Sequence, residues 1–248
     1  MTRCARTSAS LMPIWAVGML RVRNLHAYYD ESHVLHGIDL DVNDGEVVTL
    51  VGRNGAGKTT TMKSIMGVVR KRTGQITYDG NSIIGWSSDK VAKAGIGYVP
   101  EERGIFSTLS VTENLVLPPI VNNSGWSLER IYDIFPALKA RGASRGTALS
   151  GGEQQMLAIA RILRSGSKLI LLDEPTEGLA PVIVNAIAEL ILEIKRSGVT
   201  ILLVEQNLRF ATRVADRHYL MVHGQIVESM SNGEVKEKET ELLAHLGV

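Results

Sequence analysis

A β-rich run at residues 46–51 leads without a break into Gly52-Arg53-Asn54-Gly55-Ala56-Gly57-Lys58-Thr59, and helical spacing begins at Lys58. The loop fits the pattern G-x-x-x-x-G-K-[ST]. A strand before it and a helix after it are what separate a phosphate-holding loop from a chance match. Gly52, Gly55 and Gly57 let the backbone curl until several N–H groups point at one anion. Few sequences so short restrict a fold so strongly, because they require a strand, a tight loop and a helix in that order.

The rest of the chain extends this unit. Residues 20–25 and 34–42 alternate apolar and polar side chains, as half-exposed strands of an antiparallel layer do. Residues 75–78 form a short strand before the turn signal Asp79-Gly80. From about residue 82 strand signals thin out. Helical patches follow at 88–94 and 128–138, broken by Pro118-Pro119 and Asn122-Asn123-Ser124-Gly125. Strand 169–172, a helix over 181–195 opening on Pro181, strand 200–204 and a hairpin over 219–227 turning near His223-Gly224 complete the pattern. The expected fold is α/β: a mixed sheet core with an antiparallel β layer and an inserted helical subdomain. The expected boundaries are a disordered extension over 1–18, a domain over 19–230 with the helical insertion at about 82–165, and a helical tail over 231–248.

Composition excludes several classes. A formal net charge of +1 over 248 residues argues against nucleic-acid binding through a broad basic face. The single cysteine, Cys4, lies in the N-terminal extension, so no disulfide framework is expected and a reducing compartment is the natural setting. The apolar window at residues 11–20 contains Pro13 and falls short of the roughly 20 residues a membrane span needs. Any span must come from another chain.

Two further segments carry chemistry. The strand Leu169-Ile170-Leu171-Leu172 delivers Asp173 and Glu174 side by side at its end, where ligands of open α/β sheets bind. Such an acidic pair carries a desolvation cost that a metal would offset. Asp173 and Thr59 are the expected Mg2+ ligands, and Glu174 is placed to polarise an attacking water. Lys58 would bridge the β- and γ-phosphates of a bound nucleotide. A short helix upstream of this strand, Leu149-Ser150-Gly151-Gly152-Glu153-Gln154-Gln155 offers free backbone N–H groups at a helix start, a place to hold an anion.

On these motifs the chain resembles the nucleotide-binding subunit of an ABC transporter, a P-loop NTPase of ABC ATPase type. The resemblance runs from Met19 to about Ser229. It implies ATP as nucleotide with Mg2+, bound by Gly52, Arg53, Asn54, Gly55, Ala56, Gly57, Lys58, Thr59 and Thr60. It also implies a head-to-tail dimer in which Ser150, Gly151, Gly152 and Glu153 reach the nucleotide of the partner subunit. Tyr29 aligns with the aromatic that stacks on adenine, with Tyr28 as the alternative. The chain would work with two transmembrane permeases, a second ATPase (a paralogue or itself) and, indirectly, an external solute-binding protein, as a peripheral subunit on the cytoplasmic face of the inner membrane.

Three positions depart from the general family pattern. Glu101 stands where a glutamine is usual, Gln206 where a histidine is usual, and Ala180 where an aspartate is usual. Glu101 can still accept from water or approach the metal, and Gln206 can donate to the γ-phosphate without carrying a proton. A hydrogen bond to a charged group is worth about 1.5–3 kcal/mol, so a retained donor implies a slowed but competent site. With Tyr28-Tyr29-Asp30-Glu31-Ser32-His33-Val34-Leu35 and Pro100-Glu101-Glu102-Arg103-Gly104-Ile105-Phe106, these departures resemble the second ATPase of branched-chain amino acid importers. A urea or short-chain amide importer and a soluble non-transport ABC ATPase are the alternatives. A lipopolysaccharide-export ATPase is less expected, since that group usually keeps the glutamine and histidine. Phe106, Leu109, Val111 and Leu115 either line a groove for a permease or form the insertion's own core.

Overall fold

The computed structural model describes residues 19–238 and Leu242, arranged as two sheets with helices packed against them. In chain order the elements are β1 (Leu20–Tyr29), β2 (Ser32–Val42), β3 (Val47–Val51), α1 (Lys58–Ile65), β4 (Lys71–Tyr78), β5 (Asn81–Ser82), α2 (Ser88–Lys93) and β6 (Ile96–Val99). There follow α3 (Val111–Val116), α4 (Leu128–Ile134), α5 (Pro136–Ala140), a 3-10 turn (Gly146–Ala148), α6 (Gly151–Ser165) and β7 (Leu169–Asp173). The chain continues through α7 (Pro181–Arg196), β8 (Thr200–Glu205), α8 (Leu208–Val214), β9 (Arg217–Val222), β10 (Gln225–Ser231) and α9 (Asn232–Glu237). The four-stranded sheet has the order β2-β1-β4-β5 and is antiparallel. The six-stranded sheet has the order β10-β9-β3-β8-β7-β6, parallel except for the β9–β10 hairpin.

The apolar runs of β7 and β8 exist because both of their faces are covered. Leu169, Leu171, Leu202 and Val204 face the antiparallel layer and α1, whereas Ile170, Leu172, Ile201 and Leu203 face a second cluster with α6, α7 and α8. Each such side chain contributes roughly 1.5–3 kcal/mol when fully buried. On β1, by contrast, Leu20, Val22, Leu25 and Ala27 are buried between more exposed neighbours. That is the alternation legible in the sequence.

The helical layer begins later than residue 82. Ile83 is fully buried, and β6 pairs parallel with β7 as the edge strand of the core sheet. The strand is only four residues long and contains Gly97, which diluted its signal. That glycine is required by packing, since a Cβ there would come within 2.1 Å of Ile162 Cγ2 on α6. The helical layer therefore starts after Val99, with α3, α4, α5 and α6 sharing one core. Residues 1–18, assigned from sequence to a disordered extension, lie outside the described residues. So does most of the 231–248 tail beyond α9.

The antiparallel layer is fastened over the core sheet by charge. Arg217 on β9 forks onto both carboxylate oxygens of Glu46 at 2.9 and 3.0 Å and donates to the carbonyl of Asp41 at 2.7 Å. The geometry is the bidentate one that makes an arginine–carboxylate pair strong. It holds the guanidinium well above its ordinary range. Nearby, the N–H of His36 donates to Gly224 and the N–H of Gly224 donates to Ala56, so β2 is tied through the hairpin turn to the glycine loop.

One buried titratable group makes stability depend on pH. His218 is 1 % exposed, between Thr49 Oγ1 at 2.6 Å and Asn232 Oδ1 at 3.2 Å. Asn232 Oδ1 can only accept, so Nε2 carries the proton and Nδ1 accepts from Thr49. Burial lowers the pKa of the imidazole. The folded state thus favours neutral His218 while the unfolded chain takes up its proton near pH 6.5. The contribution is complete above that pH and is lost as pH falls below it. The difference in Tm between the native chain and His218→Gln should shrink as the pH is lowered from about 7 to about 5, as measured by thermal denaturation. A pH-independent difference would refute the assignment.

Candidate functional site

Three parallel strands end together. Val51 of β3 lies in register with Glu205 of β8, and Val204 lies in register with Asp173 of β7. The residues that follow (Gly52, Gln206 and Glu174) consequently leave the sheet at one carboxyl edge, where open α/β sheets gather their ligands. A cavity of about 380 Å3 opens there, lined by Val34, Asn54, Gly55, Gly57, Lys58, Thr59, Thr60, Glu101, Glu174 and Glu177. Arg53 and Ala56 line the opposite side of the loop, against Leu220–His223.

Lys58 is the centre of this edge. Its side chain is 3 % exposed, and Nζ donates to the carbonyls of Gly52 at 2.8 Å and Arg53 at 3.1 Å. The loop thus curls around the first residue of its own helix. Nζ also lies 3.1 Å from Glu174 Oε1 in an ion pair. Gly57, the N-cap of α1, adopts φ 106, a conformation that a side chain would strain. Glu174 itself sits at φ 45. A non-glycine residue persists there only when its surroundings over-determine it. Here its N–H is fixed on Val204 O at 3.0 Å while its carboxylate is fixed on Lys58.

The acids are arranged around Thr59. Asp173 is fully buried, with Thr59 Oγ1 donating to Oδ1 at 3.0 Å and Tyr98 Oη donating to Oδ2 at 2.9 Å. Burial raises the Asp173 carboxyl, and the two hydroxyl donors oppose the rise. Burial, then the neighbouring Asp173, pushes the Tyr98 phenol far above its ordinary range, so it remains a donor. The Glu101 carboxyl is likewise raised, by desolvation first and by Glu174 next. Carboxylate and hydroxyl oxygens around one point are the donor set of a hard cation. Among the described residues no group of three or more His, Cys, Asp or Glu forms an all-protein metal cage. Mg2+ needs none, because it keeps waters and takes substrate phosphates alongside one or two protein ligands. Thr59 and Asp173 fit that role.

None of Ser150, Gly151, Gly152 and Glu153 lines the cavity at Lys58. They open α6, where Ser150 and Glu153 form a capping box: Glu153 Oε2 accepts the Ser150 N–H at 2.8 Å and Ser150 Oγ accepts the Glu153 N–H at 3.3 Å. The box leaves the N–H groups of Gly151 and Gly152, which have no carbonyl one turn back to bond. Arg103 lies against Gly151 and donates to Gln154 Oε1 at 3.3 Å, adding a cation to this helix end. The side chain of Glu153 belongs to the helix cap itself. Its carboxylate is committed to the cap, which holds its pKa low, and a carboxylate repels a phosphate rather than binding it.

The model of the ABC transporter family matches residues 35–177, from the antiparallel layer through the loop, α6 and β7 to just beyond Glu174. This chain belongs to the ABC transporter family. As an ABC ATPase it binds and hydrolyses ATP. It is 42 % identical to the high-affinity branched-chain amino acid transport ATP-binding protein BraG of Pseudomonas aeruginosa, over 84 % of this chain and 91 % of that protein. It is 36 % identical to the probable branched-chain amino acid transport ATP-binding protein LivF of Archaeoglobus fulgidus, over 89 % of this chain and 95 % of that protein. The lipopolysaccharide export system ATP-binding protein LptB of Haemophilus influenzae is 34 % identical over 93 % of this chain and 98 % of its own length. Among solved structures, a nucleotide-free ATP-binding cassette superposes with a TM-score of 0.80 at 26 % identity, covering 93 % of this chain and 98 % of that one. A dimeric bacterial ABC transporter cassette matches with a TM-score of 0.76 at 26 % identity, covering 86 % and 99 %.

Gln206 and Tyr29, both expected from the sequence, are among the residues of this ABC ATPase that do not line the cavity. Gln206 is half-buried just beyond β8, and Tyr29 is 46 % exposed at the end of β1. Tyr28 has one ring contact in the stacked His33, at 4.3 Å between centroids, and another in Lys71 Nζ at 5.3 Å. Tyr29 is therefore the more accessible ring. Tyr98 was not singled out from the sequence: its place before Pro100-Glu101 was visible, but not that its hydroxyl would reach a carboxylate on the neighbouring strand. Tyr98→Phe removes a donor from the buried Asp173 and should lower the unfolding free energy by about 1.5–3 kcal/mol. Urea denaturation with an unchanged m-value checks this; a midpoint equal to the native one would contradict it.

Proposed function

We propose that this chain is the ATP-hydrolysing subunit of an importer of branched-chain amino acids. The likeness to BraG, at 42 % identity over most of both chains, carries the substrate class. Glu101, Gln206 and Ala180 support it, as the departures expected of that subgroup. LptB-like export is the competing reading, because those relatives match at 34 % identity over nearly the whole chain.

The mechanism follows from the ion pair at the cavity mouth. Lys58 and Glu174 neutralise each other in an ion pair. A γ-phosphate competes for the same ammonium, and when Lys58 turns to it the Glu174 carboxylate is released as a base. Thr59 and Asp173 would hold Mg2+, with Glu101 close by, and the metal would screen negative charge on the phosphates. Water then attacks the γ-phosphorus in line, its proton passes to Glu174, and the bond from that phosphorus to the β,γ-bridging oxygen breaks to leave ADP. Lys58 and the loop N–H groups stabilise the charge. Asn54, Gly55 and Thr60 shape the phosphate pocket, and Gln206 donates to the γ-phosphate. Tyr29 stacks on the adenine.

A head-to-tail dimer would bring Ser150, Gly151 and Gly152 of one subunit to the γ-phosphate held by the other. Partner permeases would dock on the helical layer, with the chain peripheral on the cytoplasmic face of the membrane. Among the described residues no helix is long and apolar enough to cross a membrane. Of the apolar residues first considered for docking, Val111 and Leu115 are fully buried, so they belong to the layer's own core. Leu109 is half-buried and Phe106 is 43 % exposed; beyond that set, Val116, Leu117 and Ile120 are also exposed, at 49, 55 and 52 %.

Glu174→Gln should lower ATP turnover roughly 100- to 10,000-fold, the usual contribution of a general base, while the chain still binds ATP. Lys58→Ala should weaken nucleotide binding itself. Steady-state phosphate release together with equilibrium binding of a fluorescent ATP analogue separates the two effects, and full turnover by Glu174→Gln would sink the site assignment. For the substrate class, deletion of the chain should abolish energy-dependent uptake of labelled leucine, isoleucine or valine. Unchanged uptake with a defect in lipopolysaccharide export would favour the competing reading.

A further inference from the structure

Glu205 is 3 % exposed, and no step of the mechanism above uses it. It ends β8, immediately before Gln206. Its Oε1 accepts the hydroxyl of Thr176 at 2.8 Å and its Oε2 accepts the N–H of Asn207 at 3.4 Å. Thr176 lies two residues beyond Glu174, and Asn207, one residue beyond Gln206, caps α8 by accepting from the Phe210 N–H. A single buried carboxyl therefore joins the loop that carries Glu174 to the loop that carries Gln206. Glu174 needs such support, since its φ of 45 is not one an unconstrained residue would keep.

The surroundings of Glu205 are almost wholly neutral. From the β7–α7 loop it faces Thr176 and, at longer range, Glu174. From β3 its partner in register is the apolar Val51, and the Thr49–His218 pair lies one step back along the same face. α8 buries Leu208 and Ala211, with Arg209 exposed and Arg213 paired with Glu189. Lys58 is engaged with Glu174. Burial first, and Glu174 further, raise the Glu205 carboxyl to about 7, against the two donors.

Resting on the reading of Glu174 as the base, we propose that Glu205 is a positioning residue for hydrolysis. Its carboxylate form holds the two loops in the arrangement that aims Glu174, and its protonated form lets them go. The hydrogen bonds set the direction. The Asn207 N–H can only donate, and Thr176 donates as well, so the ionised carboxylate satisfies both. Protonation removes the charge from both bonds: the Thr176 hydroxyl, which can also accept, and the Asn207 N–H are left with neutral hydrogen bonds of roughly half the strength. Turnover should then rise with pH through neutrality, and Gln206, which does not titrate, cannot be the source of that limb.

The test uses the full chain at saturating Mg-ATP across the neutral range. The native kcat should climb with a midpoint near pH 7. Glu205→Gln should lose this limb and turn over about tenfold more slowly at alkaline pH, with KM nearly unchanged. Thr176→Val should lower kcat similarly and Thr176→Ser should restore it, which keeps the idea testable if Glu205→Gln folds poorly. Difference infrared spectroscopy gives a readout independent of turnover: a protonated-carboxyl band titrating near neutrality should vanish in Glu205→Gln and persist in Glu174→Gln. A superimposable pH profile for Glu205→Gln, or a band that survives in it, overturns the proposal. Normal turnover by Glu174→Gln would instead refute the reading of the base, and the infrared titration would still decide the state of Glu205.

Discussion

Lys58 carries a full positive charge into a place where its side chain is 3 % exposed, and everything at the carboxyl edge of the sheet is arranged around that charge. Stripping an ammonium of water costs several kcal/mol unless the protein returns comparable partners. Two carbonyls of the loop and the carboxylate of Glu174 supply them. The loop must close into a ring to do so, which is why it needs glycine at position 57. The partner acid must also arrive from a different strand. The pair ties the site together, yet it consists of the two groups that a phosphate and a water would each claim.

The parallel register of β3, β8 and β7 makes this meeting possible. Because Val51 lies beside Glu205 and Val204 beside Asp173, three strand ends bring a phosphate loop, two acids and a polar loop to one line. Hydroxyls then fix the acids: Tyr98 and Thr59 on Asp173, Thr176 on Glu205. The start of α6, with its capping box and two open glycine N–H groups, is built by the same economy of partners but faces elsewhere.

Much of this was legible in the sequence because it depends on local spacing. The glycine loop, the strand ending in Asp173-Glu174 and the helix start at Ser150-Gly151-Gly152 are each contiguous, and each imposes its own backbone geometry. The short strand β6 was not legible. Its four residues include a glycine whose reason is Ile162, 65 positions away in the chain. The same limit applies to Glu153, whose carboxylate closes its own helix cap. Val111 and Leu115 likewise could have been surface or core, and only the packing of α3 on α6 made them core.

The sequence by itself determined the class of fold, the phosphate loop, the acidic pair and the kinship with ABC ATPases, because these are written in contiguous residues. Only the tertiary structure decided that Lys58 would be paired with Glu174, that Tyr98 would support Asp173, and that Glu205 would join the loops carrying Glu174 and Gln206. The physical reason is burial. Contacts between strands and loops far apart in the chain create the low-dielectric interior in which a carboxyl group must find a donor, and residue spacing along one strand carries no record of which donor that will be.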